Sequence, residues 1–174
     1  MYALRELERN DVKTINDWRR DPELIARLGA PYRYIGPEVD ERWFDAYLQK
    51  RGNTIRCAVV DEERPEEILG LITLADIDWV HRGCELHIMI GPAAQGQGAG
   101  SFAVEAMLRH AFADMGLERV QVLLLEENAP ALGLYRKCGF RPEGTLRHAA
   151  YKNGAWRNML VMSVLREEWD KREH

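Results

Sequence analysis

The sequence predicts a single α/β domain in which a mixed, mostly antiparallel sheet of seven strands is flanked by about four helices. Strand-like and helix-like segments follow one another in the order β-α-α-β-β-β-α-β-α-β-β. Short polar joints separate the three central strands, which favours antiparallel neighbours. Near the C-terminus, Asn153-Gly154 lies between two β-prone runs and predicts a tight hairpin. We expect residues 1–174 to belong to this one domain.

The N-terminal third is predicted to supply one strand and two helices. Asn10 and Asp11 are residue types that cap helices, and apolar residues follow them at helical spacing. Pro37 is favoured in the first turn of the next helix, where no N–H donor is needed. These elements are a strand over Tyr2–Leu7, a helix from Asn10 or Asp11 to about Arg20, a loop over Leu28–Tyr32 and a helix over Pro37–Lys50.

The rest of the chain is richer in strands. Three strands lead into a glycine-rich turn and a long helix, and a strongly apolar strand, a short helix and the hairpin follow. The polar tail Glu167–His174 is expected to fray. The predicted elements are strands over Thr54–Asp61, Ile68–Trp79 and Cys84–Ile90, a helix over Gly98–Met115, a strand over Arg119–Glu126, a helix over Asn128–Lys137, and strands over Phe140–Tyr151 and Ala155–Arg166.

Composition and charge exclude several classes of function. The net charge of −4 offers no basic field for nucleic acid. No apolar run approaches the roughly 18 residues of a membrane helix, and the charged start Met1–Glu6 does not resemble a signal peptide. Cys57, Cys84 and Cys138 are far apart without a CxxC pair, so we expect no metal site. Reduced thiols of this kind indicate a cytoplasmic protein.

The glycine-rich turn Gln95–Gly100 between a strand and a helix indicates an anion site. Glycines leave backbone N–H groups open to a ligand, and the helix dipole favours phosphate. A purely structural turn would use fewer glycines. A P-loop is excluded because Gln97 and Gly98 stand where it requires lysine and a hydroxyl.

A dinucleotide-binding oxidoreductase is the second interpretation of this turn. Gly98-x-Gly100-x-x-Ala103 fits its fingerprint, and Glu126 ends the next strand, where an acid could bind a ribose. Two observations oppose it. Residues Gly91–Gln95 separate the strand from the turn, and the chain after Glu126 is too short for further βαβ units.

Two segments resemble the GNAT acetyltransferases. Gln95-x-x-Gly98-x-Gly100 is similar to their Arg/Gln-x-x-Gly-x-Gly/Ala motif, and Asn128–Phe140 is similar to their Asn…Ala…Leu-Tyr-x-Lys-x-Gly-Phe segment. Within that superfamily the chain looks most like the branch of ribosomal-protein N-terminal acetyltransferases and spermidine N-acetyltransferases. The segments that carry this closer similarity are Asp78–Ile90, Glu143–Arg147, Lys152–Gly154 and Leu165–Trp169. The resemblance implies the GNAT fold and an acetyl-CoA-dependent N-acetyltransferase.

The resemblance also implies how coenzyme A is held. The backbone of the turn would bind the pyrophosphate, and the strand before it would pair with the pantetheine arm where the sheet splays. Asn128 would hydrogen-bond the arm, although it is also a natural helix N-cap. Lys137 would either reach the phosphates or stay solvated. The expected cofactor-binding residues are Ile88, Met89, Ile90, Gln95, Gly96, Gln97, Gly98, Ala99, Gly100, Ser101, Asn128, Tyr135 and Lys137.

Tyr135 is the expected general acid, because the matching tyrosine of the family protonates the departing thiolate. The alternative is a buried tyrosine bonded to a carbonyl. Glu85 and His87 alternate along a strand and can face the thioester together, so Glu85 is the first candidate for the base and His87 the second. Asp76, Asp78 and solvent remain open as sources of the base.

The acceptor is expected to be a primary amine: a protein N-terminus, a polyamine or an amino sugar. Candidate residues for a cationic acceptor are Glu38, Glu41, Asp76 and His87. The segment Gly29–Tyr32 carries no acid where spermidine enzymes tend to have them, which argues against spermidine. A non-catalytic acyl-CoA-binding module is a further alternative. We also expect a homodimer through the C-terminal strands, with apolar surface from Trp156, Met159, Val161 and Leu165.

Overall fold

A computed structural model describes residues 1–173 as a seven-stranded sheet with six α-helices around it. A 3₁₀ turn precedes the first helix, another follows β4, and a π-helical segment extends the fourth helix. The strands are β1 (Tyr2–Glu6), β2 (Ile55–Asp61), β3 (Arg64–Asp78), β4 (Gly83–Ile90), β5 (Arg119–Leu125), β6 (Arg141–Lys152) and β7 (Ala155–Leu165). The helices are α1 (Val12–Arg19), α2 (Pro22–Ala26), α3 (Pro37–Gln49), α4 (Ala99–Arg109), α5 (Ala129–Lys137) and α6 (Arg166–Glu173).

The strands are arranged in the order β1-β2-β3-β4-β5-β7-β6. Neighbours are antiparallel except β4 and β5, which are parallel and are joined through α4. This confirms the predicted mixed, mostly antiparallel sheet. It also removes the oxidoreductase alternative, because a dinucleotide-binding domain requires a sheet that is mostly parallel.

The turn between β6 and β7 has the geometry that its sequence predicts. Asn153 and Gly154 have φ angles of 51° and 77°, as a two-residue hairpin turn with positive φ at both positions requires. Lys152 pairs with Ala155 directly across it. Local turn chemistry thus sets the register next to the turn, from Ala150 to Lys152, and the register shifts twice farther along β6.

Two apolar cores lie on opposite faces of the sheet. One contains α4, α5 and α6 and includes Leu86 from β4, with Ile88 packed against it. The other contains α1 and α3, and Met89 packs against it. Alternate residues of β4 therefore face opposite layers, as strand geometry requires.

The two helices that the sequence prediction omits have identifiable causes. Asp21 caps α2 by accepting hydrogen bonds from the Glu23 and Leu24 N–H groups, and Pro22 occupies its first position. Residues 166–173 form α6, so the prediction that the tail frays is wrong for Glu167–Glu173, and His174 lies outside the described residues. Trp169 is buried with its ring 5.7 Å from that of Phe112, which ties this polar helix to the core. In residues 1–173 no helix is long and apolar enough to cross a membrane.

The apolar surface of the C-terminal hairpin differs from the predicted one. Met159 points inward and is only 7% exposed, because it packs against Leu125. The expectation that Met159 supplies outer surface is therefore wrong, and Val161 and Leu165 are half-buried. Trp156 is 59% exposed, as expected, and Leu146 and Tyr151 beside it are also exposed.

Candidate active site

The main cleft opens where β4 and β5 separate. The two strands pair only at their beginnings, Gly83 with Arg119, Cys84 with Val120 and Glu85 with Gln121. Beyond Glu85 the strands diverge, as the resemblance implies, and a cavity of about 440 Å³ lies between them. On this side, the edge of β4 over Leu86–Ile90 has no strand partner in residues 1–173. The backbone of Ile88, Met89 and Ile90 is therefore placed to pair with an extended ligand.

The cleft is accessible from both faces of the sheet. Glu85 and His87 have the same parity as Met89, so their side chains lie on the face of α1 and α3. Tyr135 of α5 belongs to the opposite core and lines the same cleft. Glu85 and Tyr135 thus approach the cleft from opposite faces of the sheet. This arrangement suits a reaction in which one group accepts a proton and another donates one.

Gly98 begins α4 in a left-handed conformation. Its φ is 92°, that of Gly96 is 75°, and no atom lies within 4 Å of a Cβ built at either position. No side chain caps the helix. The first intrahelical bond runs from Phe102 N–H to the Gly98 carbonyl, so the N–H groups before Phe102 have no acceptor in the helix. Backbone donors of the kind that bind anions are therefore grouped at the start of α4.

Two glutamines hold the turn in this shape. The Gln95 amide donates to the Ile90 carbonyl over 3.0 Å, and the Gln97 amide donates to the Ala93 carbonyl over 2.7 Å. The Tyr2 hydroxyl donates to the Gln97 carbonyl over 2.9 Å. Their side chains therefore brace the turn, and the ligand-facing groups that remain are backbone N–H.

Asn128 and Lys137 are at the two ends of α5. Asn128 caps the helix by accepting from Ala131 N–H, and its amide donates to the Arg27 carbonyl over 2.8 Å. It also lines the cleft. Lys137 is exposed and is not among the residues that line the cleft.

Tyr135 is buried, with 5% of its surface exposed. Burial raises the pKa of its hydroxyl well above the usual value of 10, and the negative charge that Cys138 and Glu85 carry when ionised raises it further. The alternative role, a hydroxyl bonded to a carbonyl, is not what the described residues show, because none of them accepts a hydrogen bond from it. The hydroxyl stays protonated over the physiological pH range and is available as a donor.

Glu85 is held by a chain of polar side chains on one face of the sheet. The Gln121 amide donates to one Glu85 oxygen over 3.3 Å, and His87 Nε2 lies 3.4 Å from the other. Arg119 donates to the Gln121 oxygen over 3.4 Å and binds Glu143 through both of its terminal nitrogens. Arg119 and Ser163 together hold the pKa of Glu143 at about 2.

The candidate acceptor residues do not all meet at the cleft. His87 lines it, whereas Asp76 lines a smaller pocket of about 190 Å³ that also contains Glu85. Glu38 is exposed on α3, and Glu41 binds Arg9 over 2.6 Å. Neither lines the main cleft.

The structure adds residues that the sequence interpretation missed. Gln121 is the polar residue of an otherwise apolar stretch of β5, a signal that could have identified it. The loop Arg27–Ala30 forms part of the cleft wall, and no local pattern indicates this. In residues 1–173 no group of three or more His, Cys, Asp or Glu is placed to hold a metal ion.

Comparison with known proteins agrees with this geometry. The family model described as an acetyltransferase (GNAT) domain matches residues 2–141. The chain belongs to the GNAT acetyltransferase family. A spermidine N-acetyltransferase from Vibrio cholerae, solved in complex with CoA and spermine, superimposes with a TM-score of 0.90 at 26% identity, covering 97% of both chains.

Curated relatives of this GNAT protein include enzymes of two acceptor classes. The spermidine N(1)-acetyltransferase of Vibrio cholerae is 27% identical over 96% of this chain and 94% of the relative. That of Escherichia coli K12 is 28% identical over 95% and 87%. The putative ribosomal N-acetyltransferase YdaF of Bacillus subtilis is 28% identical over 59% and 56%. The protein is thus an acetyl-CoA-dependent N-acetyltransferase that acts on an amine.

Proposed function

We propose that this GNAT acetyltransferase transfers acetyl from acetyl-CoA to a primary amine of a polyamine of the spermidine type. One observation carries the proposal: Glu85 and Tyr135 reach the same cleft from opposite faces of the sheet. Leu134 of the cleft wall lies against Gly100, next to the free N–H groups that begin α4. That arrangement lets a neutral amine approach from one side while the thiolate leaves on the other.

The proposed reaction is a direct attack. Glu85 removes a proton from the ammonium through a water molecule, and the neutral amine then forms a C–N bond to the thioester carbonyl. A backbone N–H of Ile88, Met89 or Ile90 stabilises the oxygen as it becomes negative. As the C–S bond breaks, Tyr135 donates its proton to the sulfur, which gives CoA thiol and the acetylated amine.

The resting form of Tyr135 suits this role. A hydroxyl with a raised pKa remains a donor at neutral pH, while the leaving thiolate is basic enough to take its proton. Glu85 is partly exposed, with 24% of its side chain accessible, so water can bridge it to an amine. His87 stands next to it as the second candidate for the base.

A polyamine acceptor is supported by charge and by the relatives. The chain supplies three carboxylates near the pairing end of β4, since Asp76, Asp78 and Glu85 line one small pocket. These can pair with the second cation of a polyamine, which a single α-amine lacks. Two of the relatives named above are spermidine N-acetyltransferases, and the similarity to them covers most of their length. The acid-free segment Gly29–Tyr32 is the feature that this proposal has to accommodate.

An amine panel tests the proposal. Spermidine, spermine, a peptide with N-terminal serine and glucosamine are compared by thiol release from acetyl-CoA. We expect the highest kcat/KM with spermidine or spermine. A preference for the peptide would replace the polyamine with a protein N-terminus. If acetyl-CoA binds but none of the amines causes thiol release, the protein would be a non-catalytic module.

We further propose that the protein is a homodimer. β6 is the last strand of the sheet, and Tyr151 and Trp156, whose rings lie 5.1 Å apart, expose apolar surface on the hairpin that it forms with β7. Pairing about a two-fold axis would cover this surface. The cytoplasmic location expected from the reduced thiols stays a prediction.

A further inference from the structure

Lys152 is a lysine whose charge is buried without an acidic partner. It ends β6, is 6% exposed, and burial lowers the pKa of its ammonium group. Among the side chains that the structure describes, no carboxylate lies within ion-pair distance of it. Its Nζ donates to the carbonyls of Ile25, over 2.8 Å, and of Ala30. A buried lysine is unfavourable unless its hydrogen bonds are satisfied, so these carbonyls are its principal stabilisation.

Both of these carbonyls belong to one short segment of chain. Ile25 lies in the last turn of α2, where its carbonyl also accepts from Leu28 N–H over 3.1 Å, and Ala30 follows four residues after the helix ends. The segment Arg27–Ala30, which follows α2 and ends at the second of these carbonyls, lines the main cleft. A single side chain of β6 therefore fixes both ends of a segment that forms part of the wall of the active site.

Two further contacts hold the same segment. The Asn128 amide donates to the Arg27 carbonyl. Gly29 lies so close to Met159 that a Cβ built on it would be 2.8 Å from the terminal Met159 carbon. Met159 packs with Leu123 and Leu125, whose side chains share a face of β5 with Gln121, the partner of Glu85. The segment thus lies on the side of the sheet where the acceptor is proposed to enter.

We propose that Lys152 is a positioning residue for the acceptor amine, because it fixes the Arg27–Ala30 segment as the acceptor-side wall of the cleft. This inference rests on the proposed function in so far as the acceptor enters beside Glu85. Lys152 binds the carbonyls of Ile25 and Ala30, and neither residue belongs to α4 or α5, which build the coenzyme side of the cleft. Loss of the Lys152 ammonium group should therefore weaken binding of the acceptor amine and leave the affinity for acetyl-CoA unchanged.

The test compares Lys152→Met with the wild type. Methionine keeps a long apolar chain but removes all three donors. With spermidine as probe, we expect KM for the amine to rise about 10-fold or more, since two hydrogen bonds to a charged group are lost. The dissociation constant of acetyl-CoA should not change. Lys152→Arg keeps the charge but places its donors differently, so its KM for the amine should lie between those of the wild type and Lys152→Met.

Lys171→Met is the matched control, because Lys171 is an exposed lysine of α6, remote from the cleft. It should match the wild type in both constants. Hydrogen exchange of residues 24–31 gives a second measurement that does not depend on turnover. Exchange in that segment should be faster in the Lys152→Met protein and unchanged in the control.

The outcomes separate this inference from the proposed function. An unchanged amine KM, or equal losses for amine and acetyl-CoA, would overturn the role of Lys152 and leave the acetyl transfer intact. If the wild type acetylates no polyamine, the proposed substrate fails, and hydrogen exchange alone decides whether Lys152 holds the segment. If Lys152→Met does not fold, Lys152→Arg is measured in the same way, and wild-type values for it would refute the proposal.

Discussion

The Gln121 amide lies 3.3 Å from one carboxylate oxygen of Glu85, so half of the proposed base is already bound when the acceptor arrives. The other oxygen is directed toward His87. Arg119 holds Gln121 in turn, and Glu143 holds Arg119. A carboxylate with one oxygen fixed presents its second oxygen in a defined direction, which favours proton transfer through one ordered water.

Replacing Glu85 tests the base. Glu85→Gln should lower kcat by about 10²-fold at pH 7, in the range typical of general base catalysis. The deficit should shrink as the pH approaches the amine pKa of about 10, because the acceptor then needs no base. The pH dependence of kcat is the measurement, with Glu66→Gln on β3 as an exposed control. A deficit that is the same at every pH would assign Glu85 a different role.

Replacing Tyr135 tests the acid. Tyr135→Phe keeps the ring and its packing on Phe140 but removes the proton, so kcat should fall about 10²–10⁴-fold with little change in acetyl-CoA affinity. Tyr34→Phe, at a tyrosine that is almost fully exposed, is the control. Near wild-type turnover of the Tyr135→Phe protein would mean that the thiolate takes its proton from water.

The pH profile gives a separate check on Tyr135. Because burial raises its pKa above 10, ionisation of this hydroxyl should not reduce activity until the pH is well above 10. A wild-type enzyme that loses activity between pH 8 and pH 9, with that loss absent in Tyr135→Phe, would show a tyrosine that ionises far more readily than its burial allows.

Substitutions at Gly98 and Gly154 distinguish an effect on coenzyme binding from an effect on stability. A side chain at φ 92° is strained by roughly 1–2 kcal/mol, and in Gly98→Val it would also occupy the space in front of the free N–H groups. Gly154→Val carries comparable strain at φ 77° in the distant hairpin turn. Both variants should lose stability in thermal unfolding, but only Gly98→Val should lose acetyl-CoA affinity by calorimetry. Equal affinities would place the pyrophosphate elsewhere.

The Glu143 carboxylate should contribute to the pH dependence of stability in acid. Its pKa is lowered from 4.5 to about 2 by Arg119 and Ser163, so its contribution is complete above about pH 4.5 and is lost as the pH falls toward 2. The free energy of unfolding of Glu143→Gln should therefore depend less on pH in this window than that of the wild type. The group is well exposed, so the difference should be small and should diminish in high salt.

The oligomeric state can be tested at the C-terminal hairpin. We expect a dimer mass by light scattering at micromolar concentration. Trp156→Asp should give a monomer, because it places a charge on the exposed apolar surface, whereas Val80→Asp, at an exposed apolar residue of the β3–β4 loop, should remain dimeric. A monomeric wild type would refute the proposal.

The elements that the sequence predicted correctly are those with local causes. The hairpin follows from Asn153-Gly154, and the left-handed start of α4 follows from Gly98. The polar α6 could not be predicted in this way, because Trp169 and the bonds from Arg172 to the carbonyls of Lys137 and Cys138 are tertiary. The helix α2 was predictable, since Asp21-Pro22 is a cap followed by a first-turn proline.

The residues of the candidate site also differ in whether local sequence could predict them. Tyr135, Glu85 and the glycine turn were predicted by motif and by strand alternation; Tyr135 and Glu85 line the cleft, whereas no residue of the turn does. The neighbours of these residues could not be found locally. The hydrogen bond from Gln121 to Glu85 spans 36 positions in sequence, and that from Lys152 to Ile25 spans 127. Such distances are closed only by the complete fold.

The short pairing of β4 with β5 has a consequence for protein synthesis. β4 is fixed early, because β2, β3 and β4 each pair with the strand that directly precedes them on the chain. β5 pairs with β4 at only three positions but with β7 along its entire length, from Arg119 opposite Leu165 to Leu125 opposite Met159. On a ribosome, the far wall of the cleft therefore waits for residues 155–165 to emerge, so a growing chain becomes able to bind its coenzyme only after β7 has been synthesised.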